Sequence, residues 1–330
     1  MAEAKWDVVG IGNAIVDVLA KADDAFLARQ GMAKNAMILI DADRAESLYK
    51  AIGPAVEQSG GSAANTIAGL ASLGGKGAYV GKVADDQLGD IFAHDLKSVG
   101  IHFATPRLIK DAPTARSFII ITPDGHRTMN TYLGACVALT PDDVDAETIG
   151  GGQVLYLEGY LWDRPAAKEA FLKAARLAHR AGRKVALSLS DSFCVERHHE
   201  SFLDLVKNHV DILFANEAEI IALYRTATFD EALKIVRGLG KTAALTRSEK
   251  GSVVLDADAV HEIPAAPVAQ VVDTTGAGDL YASGFLYGLT HGLGLVRAGR
   301  IASIAAAEVI SHVGPRPQVP LAGLIKEANA

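Results

Sequence analysis

Val154-Leu155-Tyr156-Leu157, then Asp163-Arg164-Pro165, then Gly182, then Val185-Ala186-Leu187-Ser188-Leu189 decide how this chain folds. The first run is short and unbroken, as a buried strand is. Pro165, tolerated in a first helical turn, and Gly182, a natural stop, bound a predicted helix between them. A second buried strand follows. Strand, crossover helix and strand in that order are the unit of a parallel sheet.

Outward from this unit the rhythm repeats in Ile212-Leu213-Phe214-Ala215, in a helix from about Phe229 to Leu239, and in a strand from Thr242 to Thr246. The expected fold class is therefore α/β: a doubly wound, mainly parallel sheet with helices on both faces. Ligands bind beyond the carboxyl ends of such strands, which singles out Asn216, Arg247 and Asp191. Two segments break the rhythm. Ala36 to Ile40 stands apart, and Ser117 to Thr122 can pair with Arg127 to Tyr132 across the turn Pro123-Asp124-Gly125. With no helix between them they suit a small β-sheet lid; a flap over a substrate and a plain structural hairpin explain them equally well. Residues 1–14, 47–102 and 135–330 are assigned to the large α/β unit, and 15–46 and 103–134 to the lid.

Composition narrows the function. The 330 residues are 49% hydrophobic and 22% charged with a formal net charge of -7, which describes an ordinary globular protein and not a nucleic-acid binder. Cys136 and Cys194 are too few for a disulfide framework and lack the spacing of a zinc site, so a reducing cytoplasm is expected. The N-terminus runs directly into the strand-like Val8-Val9-Gly10-Ile11-Gly12, leaving no room for a signal core, and no apolar stretch reaches the roughly 20 residues that span a bilayer. No membrane partner is expected.

Chemistry concentrates in two motifs. In Asp273-Thr274-Thr275-Gly276-Ala277-Gly278-Asp279, glycines before a helix expose backbone N–H groups at its positive end, a place for an anion such as a phosphate. Asp279, in the first turn, can accept a proton from an attacking hydroxyl; a carboxylate that only caps the helix would stand in the same place. In Gly60-Gly61-Ser62-Ala63-Ala64-Asn65, glycines let a substrate approach the backbone and Asn65 offers a donor and an acceptor, although a capped helix after a flexible turn has the same sequence.

Together these segments resemble the two signatures of the ribokinase-like (PfkB) family of small-molecule kinases, in the family's order and at a matching separation, and the resemblance covers nearly the whole chain. It implies a lid over a ribokinase-like domain, phosphoryl transfer from ATP, Asp279 as base, and the amides of Gly276, Ala277 and Gly278 as an anion hole. Arg127 aligns with the family's anion-contacting arginine, though a surface hairpin arginine would look alike. Asn216-Glu217-Ala218-Glu219 looks like the Asn-x-x-Glu motif, so Asn216 and Glu219 are implied to organise Mg2+ through water. Thr246 and Gly251 resemble the nucleotide loop, with Arg247 where the family usually has glycine. A monovalent cation, K+, is implied among backbone carbonyls of Asp273, Thr275, Val309, His312 and Gly314.

Asn13 and Asp17 resemble the family's substrate segment, and a carboxylate can accept hydrogen bonds from neighbouring ribose hydroxyls. The Gly12-Asn13 opening and Leu187-Ser188-Leu189-Ser190-Asp191 are closer to the adenosine kinase branch than to the sugar kinases. The resemblance therefore implies a small-molecule substrate, adenosine converted to AMP, with other nucleosides and then ribose or fructose as alternatives; a non-catalytic nucleoside-binding regulator is the rival of another class. Met129, Thr131 and Tyr160 align near the base, where each would serve equally as core packing. Family lids close over a monomer or pair across a homodimer, and both states are admitted. Three decoys carry nothing. Gly240-Lys241-Thr242 lies between helix and strand, the reverse of a P-loop; Gly10-x-Gly12 has Ile15 where a dinucleotide fingerprint needs glycine; and the adjacent His198 and His199 lack metal-pair spacing and are expected to be solvated.

Overall fold

A computed structural model describes residues 3–327 of the chain. Its strands are β1 (Trp6–Ile11), β2 (Ile15–Lys21), β3 (Met37–Leu39), β4 (Ala55–Gly60), β5 (Gly77–Val80), β6 (His102–Phe103), β7 (Ala115–Ile121), β8 (Arg127–Tyr132), β9 (Gly152–Glu158), β10 (Lys184–Ser188), β11 (Ile212–Asn216), β12 (Thr242–Thr246), β13 (Ser252–Leu255) and β14 (Val260–Ile263). Nine of them form one sheet in the order β14-β13-β12-β11-β10-β9-β1-β5-β6. From β6 to β12 the neighbours run parallel, and β13 and β14 turn back antiparallel at one edge.

Alternation along these strands feeds two cores. Val9 and Ile11 of β1 and Leu155 and Leu157 of β9 face one, which the helix Pro165–Arg180 closes with Ala167, Ala170, Phe171 and Ala174. Val8, Val154 and Tyr156 face the other, closed by the helices Ser62–Ser72 and Ala277–Thr290 through Ile67, Leu70 and Phe285. Phe171 and Phe285 are both 0% exposed, and burying a side chain of that size contributes roughly 1.5–3 kcal/mol. The doubly wound α/β fold is as expected.

The chain leaves β1 for β5 and β6 and later lays β9 on β1's other side, so the strand order reverses between β1 and β9. Ile11 pairs with Leu157 there, and the crevice beyond these carboxyl ends is the switch point at which sheets of this kind bind ligands.

The other five strands form a second sheet, β3-β8-β7-β2-β4. One of its faces carries Val18, Ala20, Phe118 and Ile120 and is covered by the helices Asp24–Arg29 and Ala42–Ala51 through Leu27, Ala45 and Leu48. The division between lid and body needs correcting from the sequence expectation. Residues 55–60, placed in the large unit, are β4 and pair with β2 from Ile15↔Gly60 to Ala20↔Ala55, and the expected boundary at 46/47 cuts a helix that packs on this sheet. The short edge sequence Ala-Val-Glu-Gln-Ser-Gly carries too weak an alternation to signal a strand. Among the described residues no helix is long and apolar enough to cross a membrane.

Candidate active site

The two glycine motifs meet on Asp279. Gly276, at φ 79, caps the helix Ala277–Thr290 in the left-handed region and lies against Pro315, where an added Cβ would sit 2.8 Å from the Pro315 Cα. Asp279 follows in the first turn, among amides that have no intrahelical acceptor. Its Oδ1 accepts from Ser62 Oγ at 2.6 Å and its Oδ2 from Asn65 Nδ2 at 3.0 Å. Burial raises its pKa above the ordinary carboxylate value, against these two donors and the Arg316 charge. The residue is half-buried.

At the switch point stands the last residue of β9, Glu158. It is 1% exposed and accepts from Asn13 N at 3.2 Å, Asn13 Nδ2 at 2.8 Å and Ala63 N at 2.8 Å. Burial pushes it up to about 7 in spite of those donors. Gly12 can carry no side chain because a Cβ there would strike the Glu158 carboxylate. With their amide nitrogens spent on carboxylates, Asn13 and Asn65 present Oδ1 atoms that are buried and accept from nothing. These orphaned acceptors call for donors.

Asp17 comes from the lid. It is 6% exposed, and its carboxylate occupies the space a side chain on Gly60 would fill. Burial pushes it up to about 7 and Asp279 adds to this, while Arg316 and Arg127 oppose it. Strand register puts Leu39, Thr131, Ser117 and Asp17 in one row on the lid face opposite the helices Asp24–Arg29 and Ala42–Ala51, with Met37, Met129, Ile119 and Leu19 in the next row of that face. The expected Met129 and Thr131 thus share a face with Asp17, and Thr131 Oγ1 shares a hydrogen bond of 2.8 Å with Ser117 Oγ. Met37 and Leu39, 51% and 56% exposed, belong to the same surface and were not singled out in the sequence. Tyr160, 40% exposed, stands on the turn after Glu158.

Arg127, on the same lid face, crosses to the glycine loop. Its Nη1 lies 2.6 Å from Asp273 Oδ2 and donates to Thr275 Oγ1 at 3.2 Å, and both partners of the ion pair are 8% exposed. Removing one partner of a buried pair like this strands a charge, at a cost of about 3–5 kcal/mol. Arg127 Nε and Nη2 are buried with nothing to donate to. Asp273 also accepts from Thr275 N, Thr275 Oγ1 and Gly314 N, and so shapes the segment whose carbonyls were expected to hold a monovalent cation. Nearby, Val309 is buried and His312 Nε2 lies 3.1 Å from Glu308 Oε1. Among the described residues no group of three or more His, Cys, Asp or Glu could hold a metal ion.

Asn216 and Glu219 form a closed capping box. Asn216 Oδ1 accepts from Glu219 N at 2.9 Å, while Glu219 accepts from Asn216 N at 2.9 Å and Nδ2 at 2.7 Å. Glu219 is 6% exposed and burial pushes it up to about 7, whereas Asn216 is exposed. Thr246 pairs with Asn216 across β11 and β12. Arg247 is engaged sideways, with Nε donating to Glu217 Oε2 at 3.3 Å and its guanidinium 4.2 Å from the Phe229 ring centroid. Gly251, at φ 80, packs on Ile263 to Ala265, and a cavity of about 960 Å³ opens beside Pro264, Ala265 and the helix Leu295–Val309. Asp191 is spent capping a helix through Phe193 N.

The expectation of solvated histidines is corrected. His199 is 8% exposed with Nε2 3.0 Å from Leu223 O, and His198 Nε2 lies 2.6 Å from Asp163 Oδ1; helix packing, invisible from the pair alone, buries the first and half-buries the second. Glu158 and Arg316 were missed. Glu158 had a usable signal, a carboxylate at the end of a strand beside β1; Arg316 had none.

Residues 34–322 match the model described as pfkB family carbohydrate kinase. The crystal structure of adenosine kinase from Sinorhizobium meliloti is 55% identical, covers 98% of this chain and 100% of that one, and superposes with a TM-score of 0.90. That of a probable sugar kinase protein from Rhizobium etli CFN 42 is 52% identical, covers 99% of each chain and gives 0.91. Among curated proteins, adenosine kinase of Saccharomyces cerevisiae is 27% identical over 331 residues, 93% of this chain and 96% of that protein.

Proposed function

The chain belongs to the pfkB carbohydrate kinase family, phosphotransferases with a hydroxyl acceptor, and on that premise we propose that it carries a phosphoryl group from ATP to the 5'-hydroxyl of a nucleoside, converting adenosine to AMP. The observation that carries the reading is the convergence of both glycine motifs on Asp279, in a crevice lined with acceptors that lack donors. A ribose brings hydroxyl hydrogens to such a surface. Asp17, Asn13 and Asn65 accept from the ribose beside Ser62; Gly60 and Gly61, expected to leave room for the substrate, instead leave it for the Asp17 carboxylate and the Asn13 carbonyl. Met129, Thr131 and Tyr160, joined by Met37 and Leu39, offer apolar surface to a flat base.

Phosphoryl transfer needs positioning and charge neutralisation more than covalent help from the protein. Asp279 takes the proton of the attacking hydroxyl. The amides of Gly276 and Gly278 and the two idle donors of Arg127 suit an anion that gathers charge, whereas the Ala277 amide, expected to join them, donates to Thr274 O at 3.2 Å. ATP supplies the phosphoryl group, and Mg2+ would neutralise its phosphates. The closed Asn216–Glu219 box fits magnesium through water only, since each Glu219 oxygen already has a donor. Thr246, Gly251 and the neighbouring cavity would take the nucleotide, with Arg247 turned to Glu217. Carbonyls of Asp273, Thr275, Val309, His312 and Gly314 would hold K+.

A sugar acceptor is the second reading, favoured by the relative described as a probable sugar kinase. An ADP-release assay over adenosine, other nucleosides, ribose and fructose decides between them. Turnover of adenosine well above the sugars is expected; turnover of a sugar alone overturns the nucleoside, and no turnover of any acceptor favours a binding protein.

A further inference from the structure

Gly314-Pro315-Arg316 ties together parts of the crevice that are far apart in the chain. Gly314 N donates to Asp273 Oδ2 at 3.1 Å, and Pro315 packs on Gly276 of the anion loop. Arg316 then reaches the lid, its Nη2 donating to Ser59 O at 3.0 Å and Ser59 Oγ at 3.1 Å. Ser59 stands at the end of β4, its amide held by Asp95 Oδ2 at 2.7 Å. Next in the chain come Gly60, against which the Asp17 carboxylate lies, and Ser62, which holds Asp279. Arg316 Nε is buried and donates to nothing.

The proposed reaction needs Asp17 and Asp279 ionised together, yet each disfavours the other's charge. Arg316, Arg127 and Asp279 act electrostatically on Asp17; Arg316, Asp17, Glu158, Tyr156 and Tyr160 do so on Asp279, and Asp95 and Tyr79 also act on Arg316. Arg127 is already paired with Asp273. Arg316 is the cation that both carboxylates share.

We propose that Arg316 is a positioning residue for the phosphoryl transfer, fastening the lid junction at Ser59 to the anion loop and supplying the charge that lets Asp17 and Asp279 face the substrate as carboxylates at once. The inference rests on the reading of those two residues as ribose acceptor and base. Arg316→Lys keeps the charge and loses the planar fork; Arg316→Gln keeps a donor for Ser59 and loses the charge. KM and kcat are measured for each from about pH 6 to pH 9, on adenosine and on whichever acceptor the parent turns over best.

With the charge gone Asp17 holds its proton to higher pH, so Gln raises KM about tenfold near pH 7. The defect shrinks to within about twofold near pH 9, where both carboxylates ionise unaided. Lys restores most of the loss near pH 7. A Gln variant equal to the parent, a defect of the same size at every pH, or rescue by Gln and not by Lys overturns the proposal. A parent that phosphorylates a sugar and not adenosine sinks the nucleoside reading alone, because the same comparison on that sugar still decides the role of Arg316.

Discussion

Exchanging Asp279 for Asn removes a proton acceptor while leaving the shape of the side chain in place. The new carbonyl can accept from Asn65 Nδ2, and the Ser62 hydroxyl can turn to accept from the new amide, so both bonds, at 2.6 and 3.0 Å, have replacements. What is lost is general-base catalysis, worth about 10²- to 10⁴-fold, or about 2.7–5.4 kcal/mol of activation free energy. Stability moves the other way. Burial raises the folded-state pKa of Asp279, so its carboxylate costs stability as pH rises through that value, and a neutral amide escapes the cost. The assays are ADP release for kcat, calorimetric titration for nucleoside affinity, and thermal melting at neutral pH. Turnover is expected to fall at least about 100-fold, with affinity within about threefold of the parent and an equal or higher Tm. Turnover within about tenfold of the parent, or affinity that weakens in step with kcat, would refute Asp279 as the base.

Gly60→Ala places a Cβ on the Asp17 carboxylate and should raise the nucleoside KM at least about tenfold with kcat little changed; an unaltered KM would remove Asp17 from the binding surface. Glu219→Gln can keep the bond from Asn216 N while giving up the one from the exposed Asn216 Nδ2, and because the folded pKa of Glu219 is raised to about 7 the parent loses stability as pH climbs through that value. The variant's advantage in melting experiments should therefore grow between about pH 5 and pH 8, bounded by about 3 kcal/mol, and a difference that is flat with pH would contradict the burial argument. Glu158→Leu strands the Asn13 N, Asn13 Nδ2 and Ala63 N donors, at about 1–3 kcal/mol each, so denaturant unfolding should show a loss of at least about 3 kcal/mol; a loss below about 1 kcal/mol would mean the donors find other partners.

The large sheet was legible because its signals are local. A helix start at Pro165, a stop near Gly182 and unbroken apolar runs such as Leu155 to Leu157 each act within a few residues, and tertiary packing agrees with all of them. The lid was legible where a turn marks it, at Pro123-Asp124-Gly125 between β7 and β8. It was not legible at β4, where exposed Ala55 and Val56 lead into Glu57 and Gln58 and pairing with β2 alone makes the strand. A backbone ladder leaves no trace in the side chains of an edge strand.

The site divides along the same line. Asp279, Ser62 and Asn65 announce themselves because a glycine turn before a helix is a local device, and their meeting needs only that the two helix starts face each other. Glu158 and Arg316 act through distance in the chain: one carboxylate serves residues 145 and 95 positions away, and one guanidinium grips Ser59 from 257 positions away. No window of sequence contains both ends of such a contact. Strand order does carry part of the missing information, because β9 beside β1 puts Glu158 at the reversal point whatever the neighbouring residues are. The order of the sheet therefore fixes which carboxylate can reach Asn13, and Asn13, its nitrogen spent there, is left with an oxygen open to an incoming hydrogen-bond donor.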